Sequence, residues 1–333
     1  MDENLLLHAL RRAPGHFIPV RELSAVCHAK AKELAAAKKA LRTAGYAVRH
    51  LPWLGYCLPL RACGVSRRAF QKEIAGKLPL HLRVVHHIDS TNAYLKARAT
   101  RYPAINALCA GYQSAGRGRL GRAFFSPPAC GMYASFLLYP DFPAQMIPQI
   151  TVAAAVAICE ATEAVLGISP GIKWVNDLYW KQKKVCGILS ESVPLPNGKT
   201  AVVLGFGCNL APPPDGYPEE IRASAGALLE ELPPPRVQAA LLAKIGERFF
   251  AYYASLPRYT HIAPYRARCF LTGQRVSYLC GQTRREATVC GIDEHAALLL
   301  RHDDGTVRAY ACGEISLHGG LLGQQSDKTE PSV

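Results

Sequence analysis

The chain has 333 residues, of which 49% are hydrophobic and 19% charged, and its formal net charge is +14. This composition is typical of a globular protein of about two or three domains and excludes a disordered or fibrous chain. The 12 cysteines are scattered without a C-x-x-C pair, which argues against a zinc site or a disulfide framework. The excess of positive charge favours an anionic partner.

The N-terminus lacks a signal-peptide pattern, and we expect no apolar run to reach the length of a membrane span. The sequence therefore predicts a cytoplasmic protein with no membrane partner.

Residues 1–62 are predicted to form a small helical unit, in which ten Lys/Arg against four Asp/Glu give a net +6. We expect helices near residues 5–10, 20–27 and 30–44, then a hairpin over residues 46–58. This order is typical of a winged helix-turn-helix, a DNA-binding fold. A helical interaction module with a basic face is the alternative. The candidate DNA-binding residues are Lys30, Lys32, Lys38, Lys39 and Arg42.

The middle of the chain alternates predicted strands and helices. Residues 63–80 are predicted to be a connector and residues 81–265 a mixed α/β domain. Long helices are expected over residues 148–166 and 237–254, and a short one over residues 90–99. Strands are expected at residues 82–88, 107–112, 133–139, 172–175, 178–180, 184–193 and 200–209.

The last part of the chain changes character at about residue 266. Four short predicted strands separated by polar turns indicate a small all-β barrel over residues 266–320. The polar residues 321–333 predict a disordered tail.

The strongest single motif is Gly116-Arg117-Gly118-Arg119-Leu120-Gly121. Its glycines permit a tight turn close to a ligand, and its arginines suit a carboxylate or a phosphate. The spacing also matches the dinucleotide-binding fingerprint, but that fold needs a helix directly after the glycines, and Ser126-Pro127-Pro128 predicts a turn. A P-loop is excluded because no Gly-Lys-Ser/Thr follows the glycines.

Three further segments carry candidate site residues. Ser90-Thr91-Asn92 offers hydroxyls and an amide at a helix start, which suits a polar ligand or a plain N-cap. Lys184 opens an apolar strand and is expected to face a ligand or an acid. Asp177 is expected to hold Mg²⁺ or a lysine, unless the two form a structural ion pair. The glycines of the strand end at 205–209 permit close approach of a ligand, or form a bulge.

Taken in this order, the segments resemble the motifs of the biotin protein ligases. The similar segments are residues 89–92, 113–122, 173–178, 184–189, 207–209 and 313–317, together with residues 51–59. The last segment is similar to the winged helix of members that also repress a biotin operon. The resemblance covers residues 1 to about 320 and implies an α+β protein. Its implied parts are an N-terminal winged helix-turn-helix, a central mixed α/β catalytic domain that binds biotin and ATP, and a small C-terminal SH3-like β-barrel.

The resemblance also implies an activity. The family joins biotin to ATP, giving biotinyl-5′-AMP and pyrophosphate, and transfers biotin to a lysine of a carrier domain. The implied cofactors are ATP, biotin and Mg²⁺, and the implied partner is the biotin carboxyl carrier protein of acetyl-CoA carboxylase. Operator DNA is a further implied partner, and a monomer or a ligand-induced homodimer is the implied assembly.

The resemblance assigns site residues by motif position. The implied biotin-binding residues are Ser90, Thr91, Asn92, Gln113, Arg117, Gly118, Arg119 and Lys184. The implied adenylate-binding residues are Gly116, Arg117, Arg119, Arg122, Phe124, Asn176 and Asn209. The implied catalytic residues are Lys184, Arg119 and Asp177, of which Asp177 is the candidate for Mg²⁺.

Several positions depart from the family pattern. Phe124 stands where a tryptophan that stacks on adenine is usual, Val175 replaces a common proline, and His318 replaces a basic residue. The turn before the third helix has His28 where glycine is usual, and the helix is capped by Lys30 or the residue before it where Ser or Thr is typical. DNA binding is therefore less strongly indicated than ligation.

Two alternatives stay open at this point. A lipoate or octanoate ligase of the same superfamily would carry an Arg-Arg-x-Ser-Gly-Gly-Gly motif, which this chain lacks. A non-catalytic, biotin-sensing DNA-binding regulator would not need Lys184, Arg117 and Arg119. If residues 1–62 are a repressor module, we expect their deletion to spare ligation.

Overall fold

The computed structural model describes residues 2–75, 77–78, 80–101, 106–280, 283–311, 313 and 315–317. The expectations for His318 and for the tail at 321–333 lie outside the described residues. The chain is a mixed α+β protein in which a helical N-terminal unit, a seven-stranded sheet with helices on both faces and a five-stranded antiparallel sheet follow one another. The α+β class predicted from the sequence is confirmed.

The N-terminal unit consists of three helices and a hairpin. They are α1 (Glu3–Arg12), α2 (Val20–Val26), α3 (Ala31–Ala44), β1 (Arg49–Leu51) and β2 (Gly55–Cys57). The order confirms the elements predicted from periodicity and stop signals. Gly45 ends α3 with a φ of 104°, a left-handed conformation that glycine adopts without a steric penalty. Leucines of α1 and α3 form the small core between the helices.

The turn before α3 contains a residue with a left-handed backbone conformation. His28, at the position where glycine is usual, adopts a φ of 47°. At the helix start the N–H of Lys30 donates to the Glu33 carboxylate at 2.8 Å, which satisfies one donor of the first turn. The helix therefore begins without a Ser or Thr cap.

The segment at 63–80, expected to be a connector, contains a helix. Helix α4 (Arg67–Ile74) is capped by the Ser66 hydroxyl, which accepts from the N–H of Ala69 at 3.3 Å. Its buried residues, Phe70 and Ile74, lie one turn apart on the face that packs against a later helix, Pro235–Ala254. The other residues of α4 are mostly polar, so the short apolar stripe was too weak to predict it.

The central sheet contains all seven strands expected from the sequence. They are β3 (Leu82–Val85), β4 (Ala107–Ala110), β5 (Gly131–Leu138), β6 (Gly171–Lys173), β7 (Asp177–Trp180), β8 (Lys183–Pro194) and β9 (Thr200–Asn209). The order across the sheet is β3-β4-β5-β9-β8-β7-β6, with β3 parallel to β4 and every other pair antiparallel.

Helices cover the two faces of this sheet. They are α5 (Thr91–Lys96), α6 (Ile147–Leu166), α8 (Pro235–Ala254) and α9 (Ile262–Arg268), whereas the short α7 (Glu219–Arg222) lies in the segment between β9 and α8. Helices α6 and α8 pack together on one face and belong to a large core that continues into the N-terminal unit. Helix α5 lies on the other face, where Leu95 packs with Leu108, Leu137 and Val203 in a smaller cluster.

Helix α6 corrects one expectation. The stretch Ala144–Leu166 is long and apolar enough, with a mean hydropathy of 1.5, to cross a membrane by length and composition. The expectation that no apolar segment reaches this length was therefore wrong. In the structure 67% of the 18-residue apolar window within this stretch is buried inside the protein. Its apolar side chains pack against the sheet and α8, so the helix is part of the core.

The C-terminal unit is an antiparallel sheet in the order β13-β12-β11-β10-β14. Its strands are β10 (Arg275–Cys280), β11 (Thr283–Ile292), β12 (Leu298–Arg301), β13 (Val307–Tyr310) and β14 (Ile315–Leu317). The indole N–H of Trp174 donates to the carbonyl of Ala296 at 2.9 Å, and Arg266 Nε donates to the carbonyl of Ile292 at 2.6 Å. These contacts attach the unit to the central sheet beside the candidate site.

Candidate active site

A cleft of about 260 Å³ lies between the glycine loop and the central sheet. Its lining brings together most of the residues predicted for the site. These are Ser90, Thr91, Asn92, Gln113, Arg117, Gly118, Arg119, Arg122, Phe124, Asn176, Asp177 and Lys184. Gly116 and Asn209 were predicted for the site but lie behind the lining, where they position their neighbours. Trp174, Leu189 and Ile315 line the cleft and were not among the predicted site residues.

Three glycines form the floor of the cleft on β8 and β9. Gly187 and Gly207 are register partners, and Gly205 lies two positions before Gly207 on β9. A Cβ atom at Gly205 would collide with the side-chain amide of Asn92, and one at Gly207 would collide with the ring of Phe124. In the structure, protein side chains approach the backbone closely at this strand end, and the close approach of a ligand stays a prediction.

A chain of hydrogen bonds between uncharged groups forms the polar wall of the cleft. The N–H and the hydroxyl of Thr91 donate to Gln113 Oε1 at 2.8 and 3.0 Å, and Gln113 Nε2 donates to Ser126 Oγ at 3.1 Å. Ser90 is the N-cap of α5, and its hydroxyl accepts from the N–H of Ala93 at 3.3 Å. The N-cap interpretation and the site interpretation of Ser90 are thus both compatible with the structure.

The polar wall continues behind the cleft through a residue that sequence reasoning missed. The Ser135 hydroxyl lies 2.7 Å from Thr91 Oγ1 and 2.6 Å from Asn92 Oδ1. Asn92 Nδ2 donates to the Glu191 carboxylate at 3.0 Å, and Lys96 pairs with the same carboxylate at 2.8 Å. Burial opposes ionisation of Glu191, but the hydrogen bonds from Lys96 and Asn92 outweigh it and lower its pKa. The one serine in a strand of otherwise apolar and aromatic residues, β5, was the available signal for Ser135.

The glycine loop folds back on itself like a hairpin over the cleft. The N–H of Phe124 donates to the carbonyl of Gly116 at 2.9 Å, and the N–H of Gly118 donates to the carbonyl of Arg122 at 2.8 Å. Leu120 lies at the tip with a φ of 55° and is 73% exposed. The next element, β5, is a strand, so the loop lacks the helix that a dinucleotide-binding fold requires.

Arg119 ties this loop to the far side of the cleft. Its guanidinium donates to Asn176 Oδ1 at 3.1 Å and to the carbonyl of Gly313 at 3.2 Å. Asn176 is itself fixed, because its side-chain Nδ2 donates to the carbonyl of Ile188 at 2.8 Å. The loop is therefore closed by contacts with the β6–β7 turn and with the C-terminal unit.

Lys184 and Asp177 form an ion pair at one end of the cleft. Lys184 Nζ lies 2.7 Å from Asp177 Oδ1, and the side chains are 33% and 21% exposed. The expectation that Lys184 faces an acid is confirmed. Among the residues that the structure describes, no group of three His, Cys, Asp or Glu side chains is placed to hold a metal ion. The described lining carries five cationic side chains, Arg117, Arg119, Arg122, Lys173 and Lys184, against the one acid Asp177.

Phe124 presents an aromatic ring at the glycine floor. The ring lies against Gly187 and Gly207 and meets Tyr133 edge-on, with 6.5 Å between ring centroids. The departure from tryptophan at this position therefore keeps an aromatic face in the cleft.

A second candidate surface lies on the N-terminal unit. We call the groove between α3 and the β1–β2 hairpin the α3 groove; it has a volume of about 570 Å³. Its lining residues are Phe17, Lys38, Arg42, Ala47, Val48, Arg49, His50, Leu51 and Arg61. Of the predicted DNA-binding residues, Lys38 and Arg42 line this groove, whereas Lys30, Lys32 and Lys39 are exposed outside it. Arg49 and Arg61 were missed because they lie outside the basic helix.

The segment that carries this cleft is similar in sequence to known proteins. The model of the biotin/lipoate A/B protein ligase family matches residues 84–209, which include the glycine loop, the polar wall and both glycine-bearing strands. This places the chain in that broad class of ligases.

Similarity to individual proteins covers most of the chain. The bifunctional ligase/repressor BirA of Bacillus spizizenii is 30% identical over 282 residues, covering 81% of this chain and 85% of that protein. The BirA of Escherichia coli is 29% identical over 282 residues, covering 83% and 85%. The structure of a biotin protein ligase from Aquifex aeolicus, in complex with biotin and ATP, aligns with a TM-score of 0.60 at 28% identity, covering 72% of this chain and 98% of that one. The chain belongs to the biotin protein ligase family.

Proposed function

We propose that this protein is an ATP-dependent biotin protein ligase. It would join biotin to ATP, release pyrophosphate and transfer biotin from biotinyl-5′-AMP to a lysine of a biotin carboxyl carrier protein, the carrier subunit of acetyl-CoA carboxylase. The observation that carries the proposal is the convergence of Arg117, Arg119, Arg122 and Lys184 on a cleft whose opposite wall is uncharged and hydrogen-bonded.

The first step explains why the cations are needed. A carboxylate oxygen of biotin forms a bond to the α-phosphorus of ATP, while the bond from that phosphorus to the oxygen bridging to the β-phosphate breaks and pyrophosphate leaves. Two anions must approach each other, so cationic donors aimed at the developing charge are the main requirement. Lys184 and Arg119 would meet the carboxylate and the α-phosphate, with Asp177 orienting the lysine.

The second step explains the closed loop. The neutral amine of the carrier lysine attacks the acyl carbon, AMP leaves as a phosphate anion, and the amine gives up a proton to solvent. The mixed anhydride is prone to hydrolysis, so a loop that covers it and excludes water protects it until the carrier arrives. The hydrogen bonds of Arg119 with Asn176 and Gly313 would hold such a lid closed.

The remaining site residues divide between the two ligands. Ser90, Thr91, Asn92 and Gln113 would hold biotin, with Gly118 at its carboxylate end. Phe124 and Asn176 would hold the adenylate, with Gly116 and Asn209 supporting from behind the lining. Mg²⁺ would enter with ATP, held by substrate phosphates, water and Asp177, the one acid of the described lining, which would exchange Lys184 for the ion when that lysine turns to the α-phosphate. There it would neutralise charge on the departing pyrophosphate.

The decisive experiment measures both products. Purified protein with biotin and Mg·ATP is expected to release pyrophosphate and to label a biotin carboxyl carrier domain on its lysine. Lipoate or octanoate in place of biotin tests the alternative ligase. Absence of both pyrophosphate and labelled carrier would contradict the enzyme proposal and leave a non-catalytic biotin sensor.

A second function is favoured by the α3 groove. We propose that residues 1–62 are a winged helix-turn-helix that binds operator DNA, with residues 63–80 as connector, residues 81–265 as the catalytic domain and residues 266–320 as an SH3-like barrel. The groove places Lys38, Arg42, Arg49 and Arg61 around one hollow between helix and hairpin, which suits a phosphate backbone. The names of the BirA relatives include repressor. A cytoplasmic location and dimerisation on ligand binding stay predictions.

Gel shifts with a palindromic operator, in the presence of biotin and ATP, test the repressor proposal. The double variant Lys38→Ala/Arg42→Ala, inside the α3 groove, is expected to weaken binding by about tenfold or more. The matched variant Lys30→Ala/Lys32→Ala, outside the groove, is expected to have a smaller effect. If neither variant nor salt changes the shift, the groove is not the DNA-binding surface.

A further inference from the structure

Arg11, near the end of α1, is only 2% exposed, an uncommon environment for an arginine. Its guanidinium reaches out of the N-terminal unit to three acceptors of the catalytic part. Nε donates to the carbonyl of Ala129 at 2.9 Å, Nη2 to the carbonyl of Pro212 at 2.7 Å, and Nη1 to the Glu231 carboxylate at 3.2 Å. Because a buried charge is tolerated only when it is paired and hydrogen-bonded, these three acceptors are what hold Arg11 there.

Two of the three acceptors, Pro212 and Glu231, lie near the two ends of the loop that connects β9 to α8. Residues 210–234, which we call the β9–α8 loop, leave the sheet after β9 and lead into α8. The third acceptor belongs to the segment that leads into β5, where the carbonyl of Cys130 accepts the N–H groups of Leu210 and Ala211, both at 2.9 Å. Arg11 therefore bridges the two ends of the loop, which are also joined where the N–H groups of Leu228 and Leu229 donate to the carbonyls of Asn209 and Leu210 at 3.0 and 2.9 Å.

The middle of the β9–α8 loop contacts the candidate site. The N–H of Lys184 donates to the carbonyl of Ser224 at 2.8 Å, and its carbonyl accepts from the N–H of Gly226 at 2.9 Å. Asn209 Nδ2 donates to the carbonyl of Gly226 at 2.9 Å. The backbone of Lys184 and the side chain of Asn209 are thus positioned by a loop whose two ends Arg11 holds.

We infer that Arg11 is a positioning residue for the nucleotide end of the active site, acting through the β9–α8 loop. The inference rests on the proposed function for its assignment of Lys184 and Asn209. It also reverses the expectation that deletion of residues 1–62 spares ligation, because that deletion removes Arg11. The polar wall built on Ser90, Thr91 and Gln113 makes none of these contacts, so biotin binding is expected to be spared.

Steady-state pyrophosphate release by the full-length protein tests the inference. Arg11→Ala is expected to raise the KM for ATP by about tenfold or more, since it removes several charge-assisted hydrogen bonds, while the KM for biotin changes by less than about twofold. Arg11→Lys keeps the charge but not the three-way fork and is expected to restore part of the loss.

The neighbouring residue provides a matched control. Arg12 pairs with Asp215 of the same loop at 3.1 Å, but both side chains are exposed, at 52% and 78%. Arg12→Ala is expected to leave both KM values within about twofold of the wild type, because exposed ion pairs contribute little.

Glu231→Gln, which keeps the shape of the acceptor and removes its charge, serves if Arg11→Ala does not fold. It is expected to raise the KM for ATP by about threefold and to leave that for biotin unchanged. Equal rises in both KM values, or a fall in kcat at an unchanged KM for ATP, would overturn the inference and leave Arg11 a structural anchor.

Hydrogen exchange separates failure of this inference from failure of the proposed function. Exchange at residues 221–228 is expected to accelerate in Arg11→Lys and Glu231→Gln, with residues 90–96 unchanged, whether or not the wild type is an active ligase. Unchanged exchange at residues 221–228 in both variants would overturn the inference even in an active enzyme.

Discussion

The two sides of the cleft are built from different chemistry. The polar wall joins Thr91, Gln113 and Ser126 through uncharged hydrogen bonds between largely buried groups. The opposite side is charged, and there Arg119 and Lys184 are engaged by Asn176 and Asp177. The hydrogen bonds of the neutral wall are already formed in the absence of a ligand. Charged groups that already hold protein partners must exchange them, so the charged side is where the site is expected to move.

Of the variants that distinguish the two sides of the cleft, loss of Lys184 should have the largest effect on the reaction rate. Lys184→Ala is expected to lower the rate of adenylate formation by about 100-fold or more, because it removes a cation from the meeting point of two anions. Biotin binding, measured by calorimetry, should change far less. Lys199→Ala, an exposed lysine at the β8–β9 turn, is the control. Equal losses of biotin binding and of adenylation would show that the two sides are not separable.

Arg119→Gly tests the lid on the charged side. The variant loses the contacts with Asn176 and Gly313, so the adenylate is expected to escape about tenfold faster or more and to biotinylate nearby lysines indiscriminately. Labelling of a bystander protein such as albumin, followed by blotting, measures the leak. Leu120→Ala, at the exposed tip of the same loop, should stay selective. A selective Arg119→Gly variant would refute the lid.

The attachment of the C-terminal unit introduces a pH dependence that lies outside the cleft. His261 Nε2 lies 2.8 Å from Gln149 Oε1, and Gln149 Nε2 donates to the carbonyl of His295 at 2.6 Å. Burial lowers the pKa of His261 to about 4 from its ordinary value of 6.5. Between these values the unfolded chain binds a proton that the folded chain does not. The free energy of unfolding should therefore fall as the pH drops from 6.5 towards 4, by on the order of 3 kcal/mol.

Urea denaturation across this pH range measures the effect. His261→Gln, which cannot titrate, should lose most of the dependence between pH 6.5 and pH 4. Parallel curves for the variant and the wild type would assign the dependence to other groups.

Ser135 tests the polar side and should give the smallest effect. Ser135→Ala removes the hydroxyl shared by Thr91 and Asn92 and is expected to destabilise the fold by about 1 kcal/mol, with a rise in the KM for biotin and none in that for ATP. Ser192→Ala, at an exposed position of β8, is the control for thermal unfolding. A change confined to the KM for ATP would contradict the assignment of the polar wall to biotin and of the charged side to the nucleotide.

The sequence was most informative where the physics is local. Apolar periodicity located α6 and α8, and runs of β-branched and aromatic residues located every strand of the central sheet. Charge and spacing identified the residues of the glycine loop, because tight turns and paired arginines leave a short-range signature. Helix α4 was missed because only Phe70 and Ile74 mark its buried face.

What could not be predicted depends on contacts between distant parts of the chain. Ser135 meets Thr91 and Asn92 more than 40 positions away, and Arg11 meets Ala129, Pro212 and Glu231 across more than 100. No local pattern marks an arginine that will be buried by its partners. Asn209 was assigned to the adenylate, yet its side chain lies behind the lining and holds Gly226. Such supporting roles emerge only once the chain is folded.

The glycine floor has a consequence for which changes this site can tolerate. At Gly205 and Gly207 even a single added methyl group would overlap Asn92 or Phe124, side chains that also face the cleft. An alanine there would leave every charge and every hydrogen-bonding group in place and still deform the binding surface. These two positions are therefore constrained by the volume they must leave empty, and a search for functional residues that considers only reactive groups would overlook them.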